Sequence, residues 1–203
     1  MKKLDLKKEL KHLYSPSPKE PVLVDVPDLN FLMVDGAGDP NTAQEYKDSI
    51  EVLYAMSYTL KFMVKKGNPE HDYMVMPIEG LWWGDDPDFL LVGEKDTWNW
   101  TSMILQPKFV TEKHLAEAVE QVKKKKDPVA LPKCRFESFH EGLSAQIMHI
   151  GPYAEETPTI EKLHAFIEEQ GHKLRGKHHE IYLSDPRRAA PEKLKTVVRQ
   201  PVE

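Results

Sequence analysis

The apolar positions in the first half of the chain predict strands on either side of one long helix. Short runs of β-favouring residues bounded by glycine or proline are typical of strands. Such runs cover residues 21–26, 30–34, 72–78 and 98–105. A helical stripe of apolar residues lies between the second and third runs. Thr42 and Glu45 have the spacing of a capping box, so we expect the helix to begin there and to end near Gly67.

The second half of the chain repeats this order. Its strand-like runs cover residues 136–139, 144–150, 180–183 and 196–200. A helical stripe that opens with Thr157 and Pro158 lies between the second and third of them. Each half also ends its last strand-like run in Gln-Pro, at Gln106 and at Gln200. This self-similarity indicates an internal duplication, and consecutive antiparallel strands covered by helices predict an α+β fold.

These patterns divide the chain into a short arm and one domain. Residues 1–20 are rich in lysine and end in two Ser-Pro pairs, so we expect a peripheral N-terminal arm. Residues 21–203 are predicted to form a single domain. Its predicted parts are a first half at 22–107, a linking helix at 111–126 and a second half at 136–203.

Charge and cysteine content argue against several classes of protein. The 203 residues carry a net charge of −5, which is unsuited to a broad nucleic-acid-binding face or to an anionic membrane surface. The single Cys134 excludes an internal disulfide and fits a reducing compartment. No apolar run is long enough to span a membrane, and the lysine-rich start lacks the apolar core of a secretion signal. We therefore expect a cytoplasmic protein with no direct nucleic-acid partner and no membrane contact.

Glu180 is the candidate for chemistry that the pattern singles out. Ile181, Tyr182 and Leu183 favour a strand, and Asp185 begins the turn that follows it. Since side chains alternate along a strand, Glu180 and Tyr182 share one face. A carboxylate on a covered face is costly unless it has a partner or a function. The alternative is a solvated sheet face, where most glutamates lie.

Aromatic residues supply candidate ligand contacts. All the tryptophans lie close together in the chain, at Trp82, Trp83, Trp98 and Trp100. Trp98 and Trp100 are expected on one strand face, whereas Trp82 and Trp83 diverge. About two of them are expected to line a ligand groove, and the alternative is that they fill the core. Tyr153 and Tyr182 are the candidate hydroxyl donors, and each could equally be a tyrosine at the edge of the core.

Neither a metal site nor a cysteine nucleophile is predicted. His178 and His179 are neighbours on a strand, so they point to opposite faces and cannot bind one ion together. No histidine pair has the helical spacing of a first ligand shell. Cys134 lacks a nearby cysteine, which favours an inert role. We expect no metal and no cofactor.

Several short motifs resemble those of the GyrI-like domain, and they occur in that domain's order. They are Gly-Leu-Trp-Trp at 80–83, Trp-Asn-Trp at 98–100, Ile-Gly-Pro-Tyr at 150–153, Glu-Ile-Tyr-Leu-Ser-Asp-Pro at 180–186 and Gln-Pro-Val at 200–202. The family includes effector-binding domains of multidrug-sensing transcription activators. It also includes stand-alone proteins, some of which hydrolyse cyclopropane-bearing DNA-alkylating natural products. The chain resembles the stand-alone type, because no DNA-binding helix-turn-helix precedes the domain.

The resemblance implies duplicated β-α-β-β units with pseudo-twofold symmetry and a central ligand groove. In that groove Glu180 would be the acid and, with Tyr153, would be catalytic. In the first half, Met74 or Met76 would lie at the level of Glu180. The expected ligand contacts are Trp82, Trp83, Trp98, Trp100, Tyr182, Tyr58 and Met76. Aromatic faces and one partly desolvated carboxylate suit planar aromatic or cationic small molecules.

Two classes of function follow, and the residues alone do not separate them. The first is an enzyme that detoxifies a planar toxin by opening its strained cyclopropane with water, with Glu180 activating the water. The second is a binding module that sequesters planar or cationic drugs without catalysis. The family name also suggests a third, a module that binds a protein such as DNA gyrase. We expect a monomer.

Overall fold

The computed structural model describes residues 3–85, 89–92 and 94–203. The strands of this part of the chain are β1 (Val22–Ala37), β2 (Glu79–Trp83), β3 (Asn99–Gln106), β4 (Arg135–Ile150), β5 (His178–Tyr182) and β6 (Lys195–Pro201). Its α-helices are α1 (Leu6–Glu9), α2 (Lys11–Tyr14), α3 (Gln44–Gly67), α4 (Phe89–Val92), α5 (Glu112–Lys125) and α6 (Thr157–Glu169).

The strands close into an antiparallel barrel in the order β1-β3-β2-β5-β6-β4. β1, α3, β2 and β3 form the first half, and β4, α6, β5 and β6 form the second half in the same order. The halves meet at two seams, where β1 pairs with β4 and β2 pairs with β5. The α+β fold with duplicated β-α-β-β units is thereby confirmed.

β1 and β4 are each one strand of 16 residues, where the sequence predicted two short strands. The ladder between them is interrupted at Pro27, because Val26 pairs with Gly142 and Asp28 with His140. Pro27 has no N–H to donate, and Gly142 takes a φ of 72° that glycine tolerates. Pairing resumes beyond this point, so the prediction of separate strands was wrong in both halves.

The strand predicted at residues 72–78 was also misplaced, since β2 begins at Glu79. The predicted segment contains Pro77, which cannot donate to a ladder. Its backbone pairs instead with the N-terminal arm, through an isolated bridge between Leu4 and Tyr73. β2 is therefore formed by the next run along the chain, Glu79–Trp83.

Helix α3 starts without the predicted capping box. It begins at Gln44 with Ala43 as its N-cap, and no side chain caps it. Glu45 binds Lys133 instead of reaching back to Thr42. The length of the helix, which reaches Gly67, agrees with the predicted stripe.

Two buried residues anchor the N-terminal arm to the barrel. Leu13 and Tyr14 are buried. The Tyr14 hydroxyl donates to Oε1 of Glu79 on β2 over 2.6 Å, and Nη2 of Arg199 on β6 donates to the carbonyl of Leu13 over 2.8 Å. These contacts fix the arm to β2 and β6, while its other described residues are exposed or half-buried.

A buried charge network continues from Tyr14. His179 Nε2 lies 2.9 Å from Glu79 Oε2, and His179 Nδ1 lies 2.9 Å from Glu141 Oε1. Arg199 donates to the other oxygen of Glu141 over 3.0 Å. Burial alone would raise the pKa of Glu141, but the cations of His179 and Arg199 lower it to about 2. Burial would lower the pKa of His179, and its two carboxylate neighbours raise it. The network thus pairs two basic side chains with two acidic ones.

Helices α3 and α6 pack on the barrel wall. α3 packs against β1 and β3 in the main core, and α6 packs against β4 and β6 in a second core. The second core consists mainly of Ala145, Ile147, Ile160, Leu163, Ile167 and Val198. No helix in the described part of the chain is long and apolar enough to cross a membrane.

Candidate functional site

The site lies where the two halves meet along β2 and β5. Gly80 pairs with Glu180, and Trp82 pairs with His178. Because side chains alternate along a strand, these residues share one face of the barrel wall. His179 has the opposite orientation and belongs to the buried charge network. Neighbouring residues on one strand therefore serve two separate clusters.

An aromatic cup stands on this face of the wall. We use that name for the rings of Tyr46, Trp82, Phe89, Trp98, Trp100 and Tyr182. Tyr46 packs edge-on against Trp100, with ring centroids 5.1 Å apart, and lies 5.8 Å from Trp82. Trp98 packs edge-on against Trp82 at 5.7 Å and against Phe89 at 5.6 Å. Edge-to-face contacts at these distances are favourable, so the cup is one packed unit.

Two glycines make room for the indoles. A Cβ at Gly36 would lie 2.2 Å from the ring of Trp100, and a Cβ at Gly80 would lie 2.7 Å from Trp82 Nε1. Neither separation is possible, so only glycine fits at these positions. Trp100 has an exposed fraction of 0% and Trp82 of 2%, so both indoles are buried within this aromatic cluster.

Glu180 is held beside the cup by two strand neighbours. The Tyr182 hydroxyl donates to Glu180 Oε2 over 2.6 Å and accepts from Trp82 Nε1 over 3.1 Å. His178 Nε2 lies 3.3 Å from Glu180 Oε1. Burial alone would raise the pKa of Glu180, but His178 and Tyr182 outweigh it and lower that pKa. Glu180 is therefore ionised at neutral pH although it is only 8% exposed.

A second carboxyl group, Glu156, belongs to the same site. It precedes α6 and is 5% exposed. Burial, together with the charge of Glu180, raises the pKa of Glu156 to about 9. Among the described residues, Oε1 of Glu156 has no hydrogen-bond partner. Glu156 is therefore neutral at neutral pH and carries a proton next to an ionised neighbour.

Helix α6 follows Glu156, and its N-terminus opposes the rise in the pKa of Glu156 only weakly. The N-terminus of a helix favours an anion by about 0.3–1 kcal/mol. Removing a carboxylate from water costs several kcal/mol, which is the larger effect. No side-chain hydrogen bond from Glu156 caps α6, so the helix gives the carboxylate no direct compensation. Oppositely shifted carboxyl groups of this kind are typical of acid–base sites.

The structure brings most of the predicted residues together. Glu180, Tyr182, Trp82, Trp98 and Trp100 all lie in or beside the cup. Tyr153 lies at the rim, where its half-exposed ring packs edge-on against Tyr182 at 5.4 Å. The Tyr182 hydroxyl donates to Glu180 and accepts from Trp82, so its proton is engaged within the site.

Three predicted ligand contacts lie elsewhere. Met76 is buried in the main core, because β2 starts later than predicted and places Gly80 opposite Glu180. Trp83 faces away from Trp82, and the ammonium of Lys177 lies 3.3 Å from its ring centroid. Tyr58 is exposed on α3, outside the cup.

Sequence reasoning missed Glu156, His178, Tyr46 and Phe89. Glu156 had one usable signal, since it precedes the predicted helix start at Thr157 and follows Tyr153 closely. The others gave none, because their roles depend on how separate helices and strands pack together. No group of three His, Cys, Asp or Glu side chains that could hold a metal occurs within the described residues.

Comparison with solved structures shows the same fold in stand-alone proteins. A structure described as an uncharacterized conserved protein from Listeria innocua is 44% identical, with a TM-score of 0.91, and the match covers 99% of this chain and 100% of that chain. A structure described as a hydrolase from Listeria innocua is also 44% identical, with a TM-score of 0.86 and the same coverage.

A more distant likeness shows the fold alone. The C-terminal domain of EcmrR is 14% identical, with a TM-score of 0.57, and the match covers 91% of this chain and 97% of that domain. No curated protein matches the chain. The model of the GyrI-like small molecule binding domain matches residues 19–203, which is nearly the whole chain. The chain therefore belongs to the GyrI-like family of small-molecule-binding domains.

Proposed function

We propose that the protein binds planar aromatic or cationic small molecules at the aromatic cup and opens a strained cyclopropane in them with water. The observation that carries this proposal is the pair of buried carboxyl groups with opposite pKa shifts, Glu180 and Glu156, next to stacked rings. The rings bind a flat ligand, and the carboxyl pair supplies a base and an acid. The 44% identity to a protein described as a hydrolase supports a hydrolytic reaction.

In this reaction Glu180 is the base and Glu156 the acid. Glu180 accepts a proton from water as the water oxygen bonds to a cyclopropane carbon. The strained C–C bond breaks, and its electron pair moves through the conjugated rings to a carbonyl oxygen. That oxygen takes the proton of Glu156. The product is the substrate plus one water, and both carboxyl groups return to their starting states by exchange with solvent.

The surroundings of each carboxyl group suit its role. His178 and Tyr182 keep Glu180 ionised, and the Tyr182 bond fixes its orientation. Burial keeps Glu156 protonated. Tyr153, whose ring contacts Tyr182 at the rim, would donate to the carbonyl group of a bound ligand. Positioning and acid–base catalysis together would then lower the barrier to ring opening.

Product analysis by mass spectrometry tests the reaction. The protein is incubated with a cyclopropane-bearing alkylator, and we expect a product one water heavier than the substrate. Glu180→Gln and Glu156→Gln should each abolish most turnover, whereas the exposed neighbour Glu155 offers a matched control, Glu155→Gln, that should be fully active. Turnover retained in both buried-site variants would contradict the assignment.

Binding without catalysis is the second candidate. The ionised Glu180 beside aromatic faces also fits a planar cation that is held and released unchanged. Planar cationic dyes should quench tryptophan emission because their rings would stack near an indole of the cup. Quenching that Glu180→Gln weakens, together with no turnover of any cyclopropane by the wild type, would favour the binding module.

A further inference from the structure

One ridge of helix α3 carries aromatic rings from the cup to the protein surface. Its residues follow each other at intervals of four: Tyr46, Ile50, Tyr54, Tyr58 and Phe62. Residues at this spacing are neighbours on a helix, each step rising by about 6 Å. Tyr46 is a wall of the cup, in contact with Trp82 and Trp100. The ridge therefore begins inside the candidate site.

The outer three residues form an aromatic ladder, as we name Tyr54, Tyr58 and Phe62. The rings of Tyr54 and Tyr58 are stacked with centroids 6.4 Å apart, and those of Tyr58 and Phe62 are stacked with centroids 6.5 Å apart. Tyr58 is 47% exposed and Phe62 is 61% exposed. Single exposed aromatic residues are ordinary, whereas a contiguous exposed apolar patch is typical of an interaction site.

The inner end of the ladder is fixed to the strands that build the site. Burial raises the pKa of Tyr54, and the nearby backbone of Ile78, the residue before β2, partly offsets that rise. The carbonyl of Ile78 accepts a hydrogen bond of 3.1 Å from the backbone N–H of Tyr182. Tyr54 also interacts electrostatically with Tyr153 at the rim of the cup. Ladder and cup are thus parts of one surface.

We propose that the aromatic ladder is a second subsite, which holds an outer planar arm of a ligand whose first planar unit lies at the cup. This inference rests on the proposed function and names its ligand class: elongated molecules with at least two flat aromatic units joined by a short linker. The ladder from Tyr54 to Phe62 spans about 12 Å, and the ridge from Tyr46 to Phe62 spans about 24 Å. A single ring system would leave the ladder empty.

The size of the ladder argues for a small molecule rather than for a protein partner. A stable protein interface buries about 800 Å² on each side. An aromatic side chain buries about 150–250 Å² when fully covered, so two partly exposed rings provide much less than that area. A flat arm of one or two fused rings matches the ladder in both area and shape.

Two fluorescent probes test the proposal: a bisbenzimidazole dye, which has linked planar units, and a single phenylbenzimidazole. The test variant is the double substitution Tyr58→Ala with Phe62→Ala, which removes the exposed rings and leaves the cup intact. Affinity for the bisbenzimidazole should fall about 10-fold, since each stacked ring contributes modestly. Affinity for the single unit should change by less than about twofold, because the two subsites are separate.

The controls separate this inference from the proposed function. Val129→Ala removes a side chain that is 84% exposed and lies outside the ridge, and it should leave both affinities unchanged. Melting temperatures check that each variant is folded. If both probes bind and the double variant holds the bisbenzimidazole as tightly as the wild type, the second subsite is wrong and the cup stands. If neither probe binds the wild type, the proposed function fails. Sedimentation that shows a dimer in the wild type and a monomer in the double variant would identify the ladder as a self-association surface and overturn the proposal.

Discussion

At the scale of single residues, the site depends on the unlike surroundings of two carboxyl groups with nearly equal burial. Glu180 accepts a hydrogen bond from Tyr182 and lies near His178, so its charged form is stabilised. Few groups stabilise the charged form of Glu156, and the nearby charge of Glu180 raises its pKa further. The sequence pointed to Glu180 because strand alternation placed it beside Tyr182. It could not predict the protonation of Glu156, which depends on what covers that side chain.

Replacing Glu180 with Gln should reduce turnover of a cyclopropane substrate by about 100-fold or more, because the shape is kept and the base is lost. Affinity for a neutral substrate should change little, whereas affinity for a planar cation should fall. The melting temperature at neutral pH should fall, since the lowered pKa means that folding stabilises the ionised form, which Gln lacks. Kinetics and thermal melting measure both effects. A lower melting temperature with full activity would show instead that Glu180 is a structural ion-pair partner.

Replacing Glu156 with Gln should raise stability at pH 8 more than at pH 5. In the wild type, the raised pKa keeps Glu156 protonated when folded, whereas in the unfolded chain it ionises near its ordinary value of 4.5. The unfolded state therefore gains from ionisation as pH rises, and the wild type loses stability between about pH 4.5 and about pH 9. Gln removes this loss, so the gain at pH 8 should be about 1 kcal/mol or more, a few degrees of Tm. Equal effects at the two pH values would contradict the raised pKa.

At the scale of secondary-structure elements, the sequence predicted elements that carry a sustained apolar pattern. It failed where pairing with a distant segment decides which residues form a strand. The apolar stripe of α3 predicted its length, and the alternation around Glu180 predicted β5. The segment 72–78 looked like a strand by composition, but the arm covers its backbone and β2 follows it. Because of this error, Met76 was expected at the site, whereas it lies in the main core. Contacts with the arm are distant in sequence, so no local pattern reveals them.

The contact between α2 and β2 gives a test at this scale. Replacing Tyr14 with Phe removes the 2.6 Å hydrogen bond to Glu79 and leaves a buried carboxylate oxygen without that donor. We expect a loss of about 1–3 kcal/mol of unfolding free energy. Tyr58→Phe, which removes an exposed hydroxyl from α3, should cost less than about 0.5 kcal/mol. Urea unfolding measures both, and equal stability of the two variants would show that the arm is not held by this bond.

His179 adds a pH dependence to the same network. Because the pKa of His179 is raised in the folded protein, folding stabilises the protonated imidazole. The resulting contribution to the unfolding free energy is complete below the unfolded-chain pKa of 6.5 and is lost as pH rises through the folded pKa. In His179→Gln the stability should therefore depend less on pH over that window than in the wild type. Thermal melts from pH 6 upward test this, and parallel curves for the two proteins would contradict it.

At the scale of the whole molecule, duplication gives the barrel its symmetry, and the site departs from that symmetry. The first half supplies most of the rings, and the second half supplies the ionisable groups. Tyr46, Trp82, Phe89, Trp98 and Trp100 come from the first, and Glu156, His178, Glu180 and Tyr182 come from the second. Gly80 pairs with Glu180 and leaves room for the indole of Trp82. At this seam the aromatic residues of the first half therefore meet the acidic residues of the second half. The repeat predicted the two halves, but the register that brings these walls together is set by long-range pairing.

The central claim is that one carboxyl group at this seam is protonated while its neighbour is ionised, and infrared spectroscopy of the carboxyl groups tests it directly. At pH 7 the wild type should show the band of a protonated carboxyl. Glu156→Gln should remove this band, and Glu180→Gln should retain it, because burial is the larger cause of the raised pKa of Glu156. The wild-type band should fade only near pH 9, the value to which that pKa is raised. Absence of the band at pH 7, or its loss in Glu180→Gln alone, would contradict the account.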